Sequence, residues 1–467
     1  MTTLIKNGRI VTATDDYTAD ILVRNGSIHT IGKDIPVGDD IAVHDATGLL
    51  VLPGGVDVHT HLEFNFGDFE TVDDFETGTR SAAFGGTTTL VDFCNQGDKT
   101  PLAALENWHQ RAEKACVDVS AHVILNKVDK EALAQMRSLI HDEGISSFKL
   151  FTAYPGIFMV DDAGLFKALR QARDNNAMIC VHAENGGVIE VLIEEALAAG
   201  HTGPKYHEMT RPSIMEGEAT QRVITLAEMA EASVYIVHLS ASEALNAVTN
   251  ARDRGISVYA ETCPHYLFLD KAEYERPGFD AAKYVMTPPL RSCSHQNDLW
   301  RGLKTDDLQV VSTDHCPFCF HEQPHGMLYS KQQGVDNFQK IPNGAPGVET
   351  RLPLVFDGGV HKHQMSINRF VQLTSTAPAK LFGLFPRKGT IAVGSDADIV
   401  LFDPEQTWTI MAAQQHSKID YSLYEGKEIK GKVRKVFLGG RLIVEDDVWH
   451  GKRGMGQFIK RGISGQV

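Results

Sequence analysis

Two histidines one residue apart, His59 and His61, follow an apolar run and the turn Pro53-Gly54-Gly55. In an extended strand, residues i and i+2 face the same way. Two imidazoles on one face at a strand's end can grip one metal ion. Four further candidate ligands each close an apolar, β-rich run of their own: Lys149 after Phe148, His182 after Ile179-Cys180-Val181, His238 after Ile236-Val237, and Asp314 after Val310-Val311. Four imidazoles, a carboxylate and an amine meeting at one place suit two borderline divalent ions such as zinc. A single histidine on an apolar strand is usually a core residue, and among 20 histidines one or two such placements arise by chance. Six placements at strand ends, opened by a His-x-His pair, do not.

Lys149 is the odd member of the set, because an ammonium repels metal ions. Its neutral amine can take up carbon dioxide as a carbamate, a bidentate anion able to bridge two cations. Asp314 can coordinate, transfer protons, or do both, and His315 can pack behind it. The pair Cys316-Pro317-Phe318-Cys319, with His315 and His321 nearby, has no second Cys-x-x-Cys to complete a structural zinc site. It reads as an ordinary loop.

Such ligands need a scaffold that presents many strand ends together. From residue 88 onward, strand-like runs at 88–93, 119–125, 147–151, 177–182, 234–238, 257–261 and 309–314 alternate with helical stretches such as 102–115, 130–141 and 162–175. This pattern predicts an α/β fold, a TIM-like (β/α)8 barrel whose catalytic groups gather at the C-terminal ends of its strands. A doubly wound open sheet is the runner-up, weakened because no Gly-x-Gly-x-x-Gly opens a helix after the first strand. The two chain ends have a different texture. Strand-like segments at 4–5, 9–11, 20–23 and 27–31 are separated by Asn7-Gly8 and Asn25-Gly26, both read as hairpin turns. Others at 390–393, 397–402, 433–438 and 441–444 include a Gly439-Gly440 turn. Neither end suffices alone. The expected organisation is one discontinuous β-sandwich domain from residues 1–52 and 385–467, around a catalytic barrel at 53–384.

A chain of 467 residues with 42% hydrophobic and 22% charged residues has the make-up of an ordinary globular protein. With 45 basic and 60 acidic residues it carries a net charge of −15, which argues against nucleic acid or an anionic membrane as partner. Lys452, Arg453, Lys460 and Arg461 read as a solvated tail. No signal-peptide core and no membrane-length apolar stretch is present, and seven scattered cysteines fit a reducing compartment, so a cytoplasmic protein is expected.

The chain resembles the cyclic amidohydrolases of the dihydropyrimidinase/hydantoinase family from its opening strands to about residue 450. The motifs that carry the resemblance are Pro53-Gly54-Gly55-Val56-Asp57-Val58-His59-Thr60-His61, Ala83-Phe84-Gly85-Gly86-Thr87-Thr88-Thr89, Phe148-Lys149-Leu150-Phe151-Thr152-Ala153-Tyr154 and Val181-His182-Ala183-Glu184-Asn185-Gly186. Glu261-Thr262-Cys263-Pro264-His265-Tyr266, Ser312-Thr313-Asp314-His315-Cys316 and Ile341-Pro342-Asn343-Gly344-Ala345-Pro346-Gly347 extend it. The resemblance implies one metal held by His59, His61, Asp314 and the carbamate of an N6-carboxylated Lys149. A second would be held by that carbamate with His182 and His238, and a hydroxide would bridge the two. It implies that Tyr154 steadies the oxyanion, and that Asp314 moves the proton from the hydroxide to the leaving ring nitrogen. Thr287, where the family often has Ser, and Asn343 would hold a cyclic diamide through backbone groups. Phe64, Phe66, Phe151, Tyr154 and Phe158 would touch its ring substituent, a set of aromatics that leans towards hydantoins. The family also implies a homodimer or homotetramer.

Dihydroorotases place an arginine two residues after the second histidine of the pair. Here Glu63 occupies that position and is expected to repel a substrate carboxylate. Dihydroorotase and allantoinase remain the neighbouring alternatives. Some relatives of the family are non-catalytic scaffolds that have lost metal ligands, whereas every ligand position is filled here.

Overall fold

The computed structural model describes residues 2–38, 41–323, 326–363 and 365–465, with the side chain of Phe66 outside the described set. Eight parallel strands form one sheet: β1 Gly55–Thr60, β2 Thr87–Asn95, β3 Asp118–Ile124, β4 Ser147–Phe151, β5 Met178–His182, β6 Val234–Ile236, β7 Val258–Thr262 and β8 Val310–Val311. Each strand neighbours the next in sequence order. A doubly wound sheet reverses its order partway, so the monotonic order excludes the runner-up fold. The ring closes where Thr60 bridges His315 in parallel and the His61 amide donates to the His315 carbonyl at 2.9 Å.

Helices follow the strands for local reasons. Helices Phe75–Phe84, Lys130–His141 and Asp162–Asp174 start at Asp74, Asp129 and Asp161, whose carboxylates accept amides of the first turn. Thr100 caps Pro101–Ala112, where proline takes the first helical turn. Helix Lys130–His141 buries Ala132, Met136, Leu139 and Ile140, one stripe at helical spacing laid on the sheet.

The chain ends build a second, nine-stranded sheet. Its strand order is Val448–Trp449, Arg441–Glu445, Glu428–Leu438, Ile399–Thr409, Leu50–Pro53, Thr2–Val11, Asp16–Arg24 and Ser27–Gly32, with Ala42–Asp45 paired beside Thr2–Val11. Ile5, Ile21, Val51, Ile399 and Phe437 share one buried cluster, so both ends contribute to a common core. Strand Leu50–Pro53 runs into β1 through the single residue Gly54.

Three local expectations are corrected. Asn7-Gly8 makes no hairpin: Thr2–Val11 is one strand whose register shifts between Ile5 and Gly8. Asn7 takes the left-handed backbone at φ 61°, and a Cβ on Gly8 would lie 2.2 Å from Val51 Cγ2, so the glycine permits close strand packing rather than a turn. Residues 390–393 form no strand. Arg461 is not solvated. It is 5% exposed and donates to Ser120 Oγ at 3.0 Å and the Ala121 carbonyl at 2.6 Å. The tail strap is fixed further by Val119, whose amide donates to the Gln457 carbonyl, and by Ile459, whose amide donates to the Val119 carbonyl.

A buried cation joins the two sheets. Lys388 Nζ lies 2.5 Å from Asp118 at the start of β3, 2.6 Å from Asp398 and 3.0 Å from Asp396. Burial alone would pull Lys388 down, but Asp398, Asp118 and Asp396 together hold its pKa above the ordinary lysine value. Lys388→Met leaves three carboxylates without their cation and is expected to lower unfolding free energy by about 3–5 kcal/mol. Denaturant titration checks this. Unchanged stability would show that solvent already satisfies those carboxylates.

Candidate active site

The groups singled out in the sequence meet at the C-terminal mouth of the barrel. Lys149, His182, His238 and Asp314 line one cavity together with His61. His59 lies directly behind, fully buried, its ring 5.3 Å from that of His61 and 5.3 Å from that of His238. His59 and His61 present Nε2 atoms 3.1 and 3.2 Å from Asp314 Oδ1. On the other side, His182 Nδ1 and His238 Nε2 are 2.9 Å apart.

The ring partners decide what these atoms can be. His59 Nδ1 donates to the buried carboxylate of Glu261. His59 Nε2 therefore turns a lone pair towards an Asp314 oxygen, and it has no hydrogen-bond partner. His182 Nε2 donates to Glu184 at 2.9 Å, which leaves the Nδ1 lone pair facing His238. An imidazole lone pair and a carboxylate oxygen facing each other at 3.1 Å repel unless a cation stands between them, whereas His238 Nε2 can itself donate to the His182 Nδ1 lone pair. Both groups of donor atoms lie in one dry pocket that fits two metal ions, and a carboxylate behind the ligating imidazole is the usual way such rings are oriented. His59, His61 and Asp314 alone bring their ligand atoms within 4.8 Å of one another.

Lys149 sits on β4 at 1% exposure, its Nζ 4.5 Å from the ring centroid of Phe93 and 4.9 Å from that of Phe151. Burial pulls its pKa down to about 8, against the attraction of Asp314 and Glu261. That brings the neutral amine, the form that adds carbon dioxide, into reach near neutral pH.

Three candidate ligands lie beyond their strands: His61, directly after β1 ends at Thr60, and two set further into loops. β6 ends at Ile236 and β8 at Val311, so His238 and Asp314 belong to the following loops. Both take left-handed backbone, φ 39° and 48°, as does Tyr154 at φ 63°. Such conformations cost on the order of 1–3 kcal/mol each and persist where surrounding contacts impose them. For His238 and Asp314 the contacts are carboxylates. Glu261 accepts from the His238 amide at 3.1 Å and from Tyr235 Oη at 2.8 Å, besides the His59 ring. Asp57 accepts from Thr313 Oγ1 at 2.6 Å and fixes the loop before Asp314. Reading the sequence for ligands missed Glu261, Glu184 and Asp57 as positioning groups. Their only signal was an acidic side chain on or beside an otherwise apolar strand. His315 does not line the cavity: its Nε2 pairs with Asp73 at 3.1 Å, and its carbonyl closes the barrel.

The outer cavity is aromatic. Phe64, Phe151 and Phe158 form one buried cluster with Tyr154 against it, the Phe151 and Phe158 rings stacked at 4.9 Å. Phe66 was expected here too, and its side chain lies outside the described residues. Thr287 and Asn343 line the same cavity, and Asn343 Nδ2 donates to Tyr154 Oη at 3.4 Å. Burial pushes the Tyr154 hydroxyl up to about 12, so it remains a donor. Glu63 does not face the cavity: its carboxylate pairs with Lys114 and its carbonyl accepts from Arg111. It cannot repel a substrate. Among the described residues, Lys149 is the only cationic side chain in the cavity wall, so no separate clamp for a carboxylate is present.

A cluster of histidines, an aspartate and a buried lysine at the mouth of a β/α barrel defines a class, and the chain belongs to it: residues 50–443 match the amidohydrolase family. Within that family it is 46% identical to the D-hydantoinase of Geobacillus stearothermophilus, over 100% of this chain and 98% of that one. It is 45% identical to the D-hydantoinase of Streptomyces coelicolor, over 98% of each chain. Among solved structures, the dihydropyrimidinase from Brevibacillus agri NCHU1002 superposes with a TM-score of 0.97 at 45% identity, covering 100% of both chains.

Proposed function

We propose that this chain opens the cyclic amide of a small uncharged diamide, a hydantoin or dihydropyrimidine, to the N-carbamoyl amino acid. The observation that carries the reading is the convergence of four imidazoles, Lys149 and Asp314 beside an aromatic-walled cavity whose described lining holds no separate cationic clamp for a substrate carboxylate. The names of the similar D-hydantoinases and dihydropyrimidinase support the substrate class.

His59, His61 and Asp314 would hold one divalent ion and His182 with His238 the other, with N6-carboxylated Lys149 shared between them. Zinc suits these ligands. Bound there, the ions would bring the pKa of water towards ~7 and polarise the ring carbonyl. The remaining work falls to the chain's own groups. Thr287 and Asn343 hold the ring. As water adds to the carbonyl carbon, the Tyr154 hydroxyl donates to the oxygen that gains charge. Asp314 takes the proton released by the water and delivers it to the ring nitrogen as the C–N bond breaks. The phenylalanine wall excludes bulk water and receives the ring substituent.

We take residues 53–384 as the catalytic barrel and residues 1–52 with 385–467 as the β domain, and a dimer or tetramer as the assembly. All cysteines are free, which supports a cytoplasmic setting, and no helix among the described residues is long and apolar enough to cross a membrane.

The test is a substrate panel with chiral product analysis: dihydrouracil, hydantoin, both phenylhydantoin enantiomers, allantoin and dihydroorotate. Ring opening of hydantoins or dihydrouracil is expected, and turnover confined to allantoin or dihydroorotate would overturn the reading. Phe158→Ala should lower the preference for phenylhydantoin over dihydrouracil by about 10-fold or more, because it removes contacts only the bulky substituent makes. Equal losses on both substrates would remove Phe158 from the pocket.

A further inference from the structure

Lys331 opens a short turn, Lys331–Gly334, and is 0% exposed. Among the described residues no carboxylate pairs with it. Instead its Nζ donates to three backbone carbonyls: Val285 at 2.7 Å, Pro342 at 2.6 Å and Gly344 at 2.7 Å. As an ammonium the side chain has one proton for each carbonyl, and burial works against that charge, pulling its pKa down to about 7. A buried cation held only by peptide dipoles is expensive, so what those peptides do matters.

They belong to the two segments that carry Thr287 and Asn343. In a trans peptide the C=O and the following N–H point in opposite directions. Drawing the Pro342 carbonyl to Lys331 turns the Asn343 N–H away from it. The Val285 carbonyl, fixed by Lys331, also accepts from the Gly344 amide at 3.1 Å, which ties the two segments together. The next carbonyl, Met286, accepts from His207 Nε2 at 2.8 Å, so the Thr287 N–H is turned away from His207. Close packing enforces the arrangement. A Cβ on Gly344 would lie 2.3 Å from the Cys316 carbonyl oxygen, and Cys316 itself lines the cavity.

We propose that Lys331 is a positioning residue for the ring-binding wall: its three hydrogen bonds set the Asn343 peptide group and tie it to the segment that leads into Thr287, both of which the cyclic diamide meets. The proposal rests on the substrate reading above and assigns Lys331 no contact with substrate.

The experiment uses the metal-loaded full chain and steady-state kinetics on hydantoin and dihydrouracil. Lys331→Met keeps most of the volume and removes all three donors. It should raise KM about 10-fold or more, leave kcat within about 3-fold, and leave metal content at the wild-type level, the pattern of lost uniform binding. Lys331→Gln retains two N–H donors and should fall between, and it decides the matter if the methionine variant does not accumulate folded. A folded, metal-loaded variant with wild-type KM overturns the proposal, as does a fall in kcat at unchanged KM. If the wild-type chain opens neither ring, the substrate reading fails instead.

Discussion

Lys149→Ala is expected to abolish ring opening and to empty the centre of metal. Four neutral imidazoles and one carboxylate offer a single negative charge to two divalent ions. A carbamate on Lys149 adds a second and gives both ions a common ligand. As an ammonium, the same side chain would sit at 1% exposure beside two rings and among imidazoles, opposing every cation there. Alanine removes the shared anion and leaves a hole that water fills poorly as a ligand. Metal analysis should fall from about two ions per chain to well under one. Native mass spectrometry of the wild type should show the added mass of one CO2, lost on acidification and absent from the variant. Full hydrolytic activity in Lys149→Ala would sink the shared-ligand reading.

Tyr154→Phe should reduce turnover about 10²–10³-fold with little change in metal content, the effect of losing one donor to a developing oxyanion. The ring keeps its contacts with Phe158 and His182, at 6.1 and 5.6 Å between centroids, so the substitution isolates the hydroxyl. With that hydroxyl pushed to about 12 by burial, the donor is present throughout the range in which the fold is assayed. The alkaline limb of the rate profile should therefore not belong to Tyr154, and wild-type and variant profiles should run parallel up to about pH 10. An unchanged rate would take Tyr154 out of the mechanism.

The barrel and the gathering of the candidate ligands at its mouth were legible because they depend on short-range pattern. Apolar runs alternating with amphipathic stretches specify strand–helix units, and polar residues at the ends of such runs have nowhere to go but the mouth. What failed depends on distant contacts. Nothing near His59 announces that Glu261, 202 residues on, will orient its ring. The left-handed backbone of His238 and Asp314 is imposed by carboxylates on other strands, so both were read as strand termini. Asn7-Gly8 has the composition of a hairpin turn, and only the approach of Val51 shows it to be a bulge. Arg461 looked like a tail charge until the main-chain carbonyl of Ala121 claimed it. Glu63 occupies a telling position in sequence, yet Lys114 draws it aside.

Gly54 is the entire connector between the terminal sheet and the strand that bears His59 and leads into His61. Its amide donates to the Asp398 carbonyl at 2.8 Å, and a Cβ there would strike Thr88 Oγ1 at 2.0 Å. The seam thus has no slack for a hinge, and the terminal sheet acts as ballast for the paired histidines. Warming that loosens the ballast should release metal from the loaded protein while the helices around the barrel are still intact.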